Sequence, residues 1–212
     1  MNAATQKLSL HGGAGFVEAL LDAPVDATVH GTAVIAHPHP LFGGTMQNKV
    51  VQTLARAFVQ CGWRAVRFNF RGVGASAGAY DEGRGEATDM LGVVAQVAPT
   101  GPLALSGFSF GAFVTSHVLQ QLGAQRLPDK VVLVGTAASR FAVAPIAGEV
   151  HERTLVLHGE QDDTVPLSSV MDWARPQSLP VTVIPGVEHF FHGQLPLLKS
   201  LTVRHLLAPI QA

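Results

Sequence analysis

Charge is scarce in this chain. Only 14% of its 212 residues are Asp, Glu, Lys or Arg, the formal net charge is −1 and the sequence pI is near 6.8. No field of one sign is present to recruit nucleic acid or an anionic membrane, so a small neutral substrate fits better than either partner. Cysteine is almost absent: Cys61 stands alone, which excludes an internal disulfide and makes a reducing cytoplasm the simplest home. It falls at the end of an expected helix, before Gly62-Trp63, and reads as buried filler. No apolar run approaches membrane-spanning length, and Met1 to Leu10 lacks the basic segment and apolar stretch of a signal peptide. Low-complexity segments, charge runs and Pro/Ser linkers are missing too, so one domain over residues 1–212 is expected, with a hydrophobic fraction of 47% ample for a core.

The chain is organised around Pro102 to Gly123. A short apolar strand (Leu103, Ala104, Leu105) breaks at Gly-Phe-Ser109-Phe-Gly, and a segment of helical period (Phe113, Val114, His117, Val118, Leu122) follows until Gly123 stops it. A serine on such a turn projects its hydroxyl from the end of a sheet, and the helix beginning there offers unpaired N–H groups to whatever the serine attacks. Gly107 and Gly111 are required because side chains there would collide across the turn. A second match, Gly74-Ala-Ser76-Ala-Gly78, trails its strand by several residues and runs into Ala-Tyr-Asp-Glu-Gly-Arg-Gly, which cannot start an apolar helix. Context selects Ser109.

Around this unit an alternating pattern repeats. Lys7–Leu10 and Phe16–Leu21 suggest an antiparallel hairpin at a sheet edge. Then come Thr32–Ala36 with the loop His37–Gly44 and a helix over Thr45–Gln60, Arg64–Phe70 with RGVGASAG and a helix near Glu86–Val97, the Ser109 unit, Val131–Val134 with GTAAS, Leu155–Leu157 with HGEQDD, and Val181–Ile184 with PGVEHFFHG. Short apolar strands alternating with helices predict an α/β fold with a mostly parallel central sheet covered by helices on both faces. The short connection Gly135–Arg153 leaves no room for a large lid. Ligands of such sheets bind beyond the C-terminal strand ends, where every unusual cluster of this sequence falls.

A serine hydroxyl needs an imidazole to take its proton and a carboxylate to hold that imidazole in the right tautomer. After Leu155–Leu157 the chain offers Glu160, Asp162 and Asp163; after Val181–Ile184 it offers His189 and His192. The order Ser, acid, His is the one this architecture uses. Two backbone donors are also needed for the tetrahedral oxyanion. Phe110 N–H, directly after the serine, is one. In the loop His37–Gly44, Pro38 and Pro40 have no N–H to give, so Leu41 is the candidate for the second, with His39 behind it. Phe42, Phe110 and Phe190 would crowd the site and favour an apolar acyl or alcohol group, or else are ordinary core aromatics.

These segments together resemble the α/β-hydrolases over nearly the whole chain. Gly159 to Pro166, in the spacing Gly-x-x-Asp-x-x-Val-Pro, and Gly186 to Phe190, Gly-x-x-His-Phe, match that superfamily's acid and histidine loops. HPHPLFGGTMQNKVV and NFRGVGASAG are similar to small, lidless bacterial hydrolases related to dienelactone hydrolases, with serine where the latter carry cysteine. The resemblance implies ester-type acyl transfer by Ser109, selects Asp162 over Asp163 and His189 over His192, puts a hole residue at the Leu41 loop, and requires no cofactor and no metal. It also predicts a loop of Asn69, Arg71, Gly72 and Gly74, in which Arg71 either braces the site, the favoured role, or meets a substrate carboxylate. His158 reads as orienting the acid loop.

Three rivals stand against this reading. Gly72-Val-Gly74-Ala-Ser-Ala77 matches a dinucleotide fingerprint, yet Gly78, Gly83 and Gly85 forbid the helix that motif needs. A metal-dependent hydrolase could draw on His37, His39, His158, Asp162, His189 and His192, but no ligand pair sits four residues apart on an expected helix and the Ser109 turn goes unused. A binding protein of this fold would not need Ser109, Asp162 and His189 together. Neither the substrate nor the oligomeric state is legible.

Overall fold

Residues 5–25 and 28–209 are described by the structure, a computed structural model. Its strands are β1 (Gln6–Gly12), β2 (Gly15–Asp22), β3 (Gly31–Ala36), β4 (Trp63–Phe68), β5 (Leu103–Phe108), β6 (Lys130–Val134), β7 (Thr154–Gly159) and β8 (Val181–Ile184). They form one sheet in the order β1-β2-β4-β3-β5-β6-β7-β8. The β1–β2 hairpin is antiparallel, β2 lies antiparallel on β4, and every later pairing is parallel. The edge hairpin and the mostly parallel sheet are therefore as expected from sequence.

The parallel strands are apolar almost throughout because both faces are covered. Leu103 and Leu105 of β5 join a core layer under α2 (Arg84–Val97), α3 (Phe110–Leu122) and α4 (Leu167–Ala174). Ala104 and Phe108 point the other way, into a layer with α1 (Lys49–Gln60) and α5 (Leu195–Leu207). Each fully buried Leu or Phe in these layers contributes roughly 1.5–3 kcal/mol.

Two boundaries differ from expectation: β4 ends at Phe68 rather than Phe70, and the first helix starts late. The first helix begins at Lys49, not Thr45, because Thr45–Asn48 closes a turn and the Asn48 side chain then accepts the Val50 N–H at 2.9 Å, capping the helix. At α2 the start is set by Glu86, which reaches back to the N–H groups of Gly83 (2.8 Å) and Asp81 (2.9 Å). The segment from Gly135 to Arg153 carries one 3₁₀ stretch, Gly148–Arg153, and no inserted lid. Among the described residues no helix is long and apolar enough to cross a membrane.

Candidate active site

Ser109 stands between β5 and α3 with φ 57° and ψ −116°, a conformation non-glycine residues avoid and which costs on the order of 1–3 kcal/mol. Its N–H donates to the Val134 carbonyl at 2.8 Å, pinning the turn to β6. A Cβ on Gly107 would collide with the Gly111 backbone, and one on Gly111 with the Ala36 carbonyl, so the turn closes only with glycine at both places. The hydroxyl is thereby held at the C-terminal edge of the sheet while α3 runs back beneath it.

The acid loop after β7 and the histidine loop after β8 are stitched together. Glu160 N–H donates to Ile184 O at 3.0 Å and Gln161 N–H to Val187 O at 2.9 Å. This brings His189 Nδ1 to 2.6 Å from Asp162 Oδ2, and His189 Nε2 to 3.0 Å from Ser109 Oγ. The other carboxylate oxygen, Asp162 Oδ1, accepts the N–H groups of Val165 (2.7 Å) and Thr164 (3.0 Å). All three side chains are buried. Since Asp162 can only accept, Nδ1 of His189 carries the proton and Nε2 faces the serine as an acceptor. Gly135, with φ 54°, makes room for the imidazole, because a Cβ there would stand 3.1 Å from His189 Cε1. Nothing in the sequence marked that glycine, as its partner is far along the chain.

The competing residues lie elsewhere. Asp163 is exposed and reaches only Thr164 Oγ1, at 3.4 Å. His192 is exposed and pairs with Glu188 at 3.0 Å. Ser76 is buried and committed to the backbone, taking the Glu18 N–H (3.0 Å) and giving its proton to Asn69 O (2.8 Å).

The loop after β3 departs from expectation. Leu41 N–H is already donated to His39 Nδ1 at 3.2 Å, and Leu41 does not line the cleft that holds Ser109. The missing N–H groups of Pro38 and Pro40 and the resemblance both point to this loop, but the 3₁₀ turn Pro40–Phe42 folds the His39 ring back onto Leu41. His39 does line the cleft, and among the described residues its N–H and that of Phe110 have no acceptor. Burial, and then the nearby Arg140 guanidinium, hold the His39 imidazole below its ordinary value.

That cleft has a volume of about 250 Å³. Phe42, Phe110 and Phe190 all line it, as does Phe141. Phe110 is fully buried, whereas Phe42 and Phe190 are 76% and 42% exposed, so these two form an apolar rim rather than core. Arg140 and Phe141 were not singled out from the sequence; only their place just past the end of β6 could have pointed to them.

His37, His158 and Arg71 have structural partners. His37 is buried, with Nδ1 2.6 Å from Pro38 O and Nε2 accepting Phe70 N–H at 3.0 Å; burial drives its pKa down to about 4. His158 donates from Nε2 to Val165 O at 2.9 Å and lies 3.6 Å from Asp162 Oδ2, with burial lowering its pKa against the pull of that carboxylate. Among the described residues no three His, Cys, Asp or Glu side chains are grouped to hold a metal. Arg71 grips the buried Asp89 through Nε (2.7 Å) and Nη2 (3.0 Å), which is the bracing role.

No family model matches the chain. Among solved structures it is similar to XC6422 from Xanthomonas campestris, described as an α/β serine hydrolase without a lid, at 33% identity and a TM-score of 0.85 over 100% of this chain and 99% of that one. It is also similar to an α/β serine hydrolase homologue from Coxiella burnetii, at 37% identity and a TM-score of 0.80 over 96% of this chain and 97% of that one. The uncharacterized protein RP471 of Rickettsia prowazekii is 30% identical over 182 residues, 75% of this chain and 71% of that protein.

Proposed function

The chain belongs to the lidless α/β serine hydrolases, and from that premise we propose that it cleaves small carboxylic esters or lactones through an acyl-enzyme on Ser109. His189 Nε2 takes the hydroxyl proton as Ser109 Oγ attacks the carbonyl carbon, and the imidazolium is stabilised by Asp162. The same proton then goes to the leaving alcohol oxygen. In the second half His189 deprotonates a water, which releases the acid and restores the serine. Phe110 N–H and His39 N–H stabilise the oxyanion in both halves, His39 taking the place expected of Leu41.

The observation that carries this reading is the unbroken hydrogen-bonded row from Ser109 Oγ through His189 to Asp162, at 3.0 and 2.6 Å. The aromatic cleft beside it supports an apolar acyl group of modest size, since about 250 Å³ is below the usual range of roughly 300–1,000 Å³ for drug-sized ligands. The test is a fluorophosphonate probe with intact-mass readout. One equivalent should attach, attachment and ester hydrolysis should vanish in Ser109→Ala, and EDTA should change neither. Hydrolysis that survives Ser109→Ala but stops with EDTA would overturn the proposal.

A further inference from the structure

We propose that Arg140 is an anion-binding subsite of the Ser109 cleft, and that the favoured substrates are half-esters of short dicarboxylic acids, with the free carboxylate at the end of the acyl chain. The inference rests on the acyl-enzyme reading for the position of the scissile carbonyl. It starts from a charge without a counter-charge. Arg140 lines the same cavity as Ser109 and His189, and no Asp or Glu lines it. Among the described residues the guanidinium has neither an ion pair nor a side-chain hydrogen bond. Arg71, the arginine the sequence suggested for such a role, is consumed by Asp89, so Arg140 is the cation left to meet a substrate.

The surroundings give the free charge its use. The cavity wall beside Arg140 is aromatic, built from Phe42, Phe110, Phe141 and Phe190. Apolar walls focus the field of a cation at a cleft mouth, and a guanidinium presents a planar fork that matches a carboxylate better than any neutral group. Arg140 lines this cavity together with His39, whose N–H is the loop donor to the oxyanion. The leaving alcohol departs toward His189. A half-ester holds its carboxylate on the acyl chain, away from that departing group, with the methylenes available to the phenylalanines that line the cavity.

Two measurements test this. The first compares kcat/KM for the para-nitrophenyl half-ester of adipic acid with that for a neutral ester of equal length, in which an isopropyl group replaces the free carboxylate. Wild type should prefer the half-ester, and Arg140→Gln should lower the half-ester to neutral-ester ratio up to about fivefold, the loss expected for one ion pair made by an exposed arginine. Arg140→Lys should keep part of the preference. Salt raised from about 0.01 to 1 M shortens the Debye length from roughly 30 to 3 Å and should erode the preference in wild type. The second is calorimetric titration of adipate into the resting protein, with affinity expected in wild type and lost in Arg140→Gln. A ratio unchanged by Arg140→Gln, or an adipate affinity unchanged by it, overturns the subsite while leaving Ser109 chemistry standing. Hydrolysis that persists in Ser109→Ala overturns the acyl-enzyme instead, and the titration then still decides the role of Arg140.

Discussion

Replacing Asp162 with Asn tests the tautomer argument, because the two oxygens of this carboxylate do different work. Oδ1 accepts two backbone N–H groups, from Val165 at 2.7 Å and Thr164 at 3.0 Å, while Oδ2 accepts from His189 at 2.6 Å. An Asn side chain has one acceptor and one donor end. Turned with its carbonyl toward His189, it would aim an amide at two backbone donors and leave both unsatisfied, at about 1–3 kcal/mol each. The backbone pair therefore forces the carbonyl to the Oδ1 position and the amide toward His189. The imidazole must then accept at Nδ1 and carry its proton on Nε2, where it faces Ser109 Oγ as a donor and cannot take a proton. The loop stays folded, since its two hydrogen bonds survive, but the base is lost. By analogy with other Ser-His-Asp sites kcat should fall about ten-thousand-fold, or about 5 kcal/mol. The assay is hydrolysis of a para-nitrophenyl ester, with the rate of fluorophosphonate labelling as a second reading of serine nucleophilicity and a melting curve to show that the fold is intact. A rate within tenfold of wild type would refute the argument. So would an equal loss in Asp163→Asn, whose carboxylate reaches only Thr164 Oγ1.

Two further outcomes follow from groups outside the reacting row. Arg71→Ala strands the carboxylate of Asp89, which is 1% exposed, and should cost about 3–5 kcal/mol of stability in urea unfolding. The half-ester to neutral-ester ratio should stay as in wild type, and a fall in that ratio would return Arg71 to the substrate. His37 supplies a pH dependence. Its folded pKa is about 4 against an ordinary 6.5, so between those values the unfolded chain binds a proton that the folded chain does not. Stability from this group is complete above pH 6.5 and is lost as pH falls toward 4, by on the order of 3 kcal/mol, with no further loss below. Chemical unfolding across that window should show a shallower slope in His37→Gln, and an unchanged slope would remove His37 as the cause.

The parts of the site that were legible in sequence are those where local backbone geometry dictates residue type. The turn at Ser109 closes only with Gly107 and Gly111, so its letters could be read, and the strand before and helix after it separated Ser109 from Ser76. The acid and histidine loops were legible as positions, each following a short apolar strand. Choosing between Asp162 and Asp163 needed the resemblance, because the discriminating contacts, to Val165 and His189, depend on how two loops meet. Leu41 shows the limit of elimination. Prolines tell which N–H groups are missing, but not that the His39 ring turns back and occupies that of Leu41, leaving the N–H of His39 itself.

Arg140 shows a different limit. Nothing in Gly-Thr-Ala-Ala-Ser-Arg distinguishes its charge from any solvated surface cation, and no spacing rule applies to a residue used alone. Its meaning comes from a relation between three strand ends: β5 brings Ser109, β8 leads to His189, and the chain leaving β6 sets the exposed Arg140 on the lining of the same aromatic cavity, with no acid among the lining residues. Local sequence can specify a turn that must be strained or a glycine that must be bare. A free charge is defined only by which groups fail to reach it, and that becomes visible when the whole neighbourhood is folded. Reactivity is therefore the more legible half of this site and selectivity the less legible one, since the first depends on backbone shape at one turn and the second on what surrounds a single side chain.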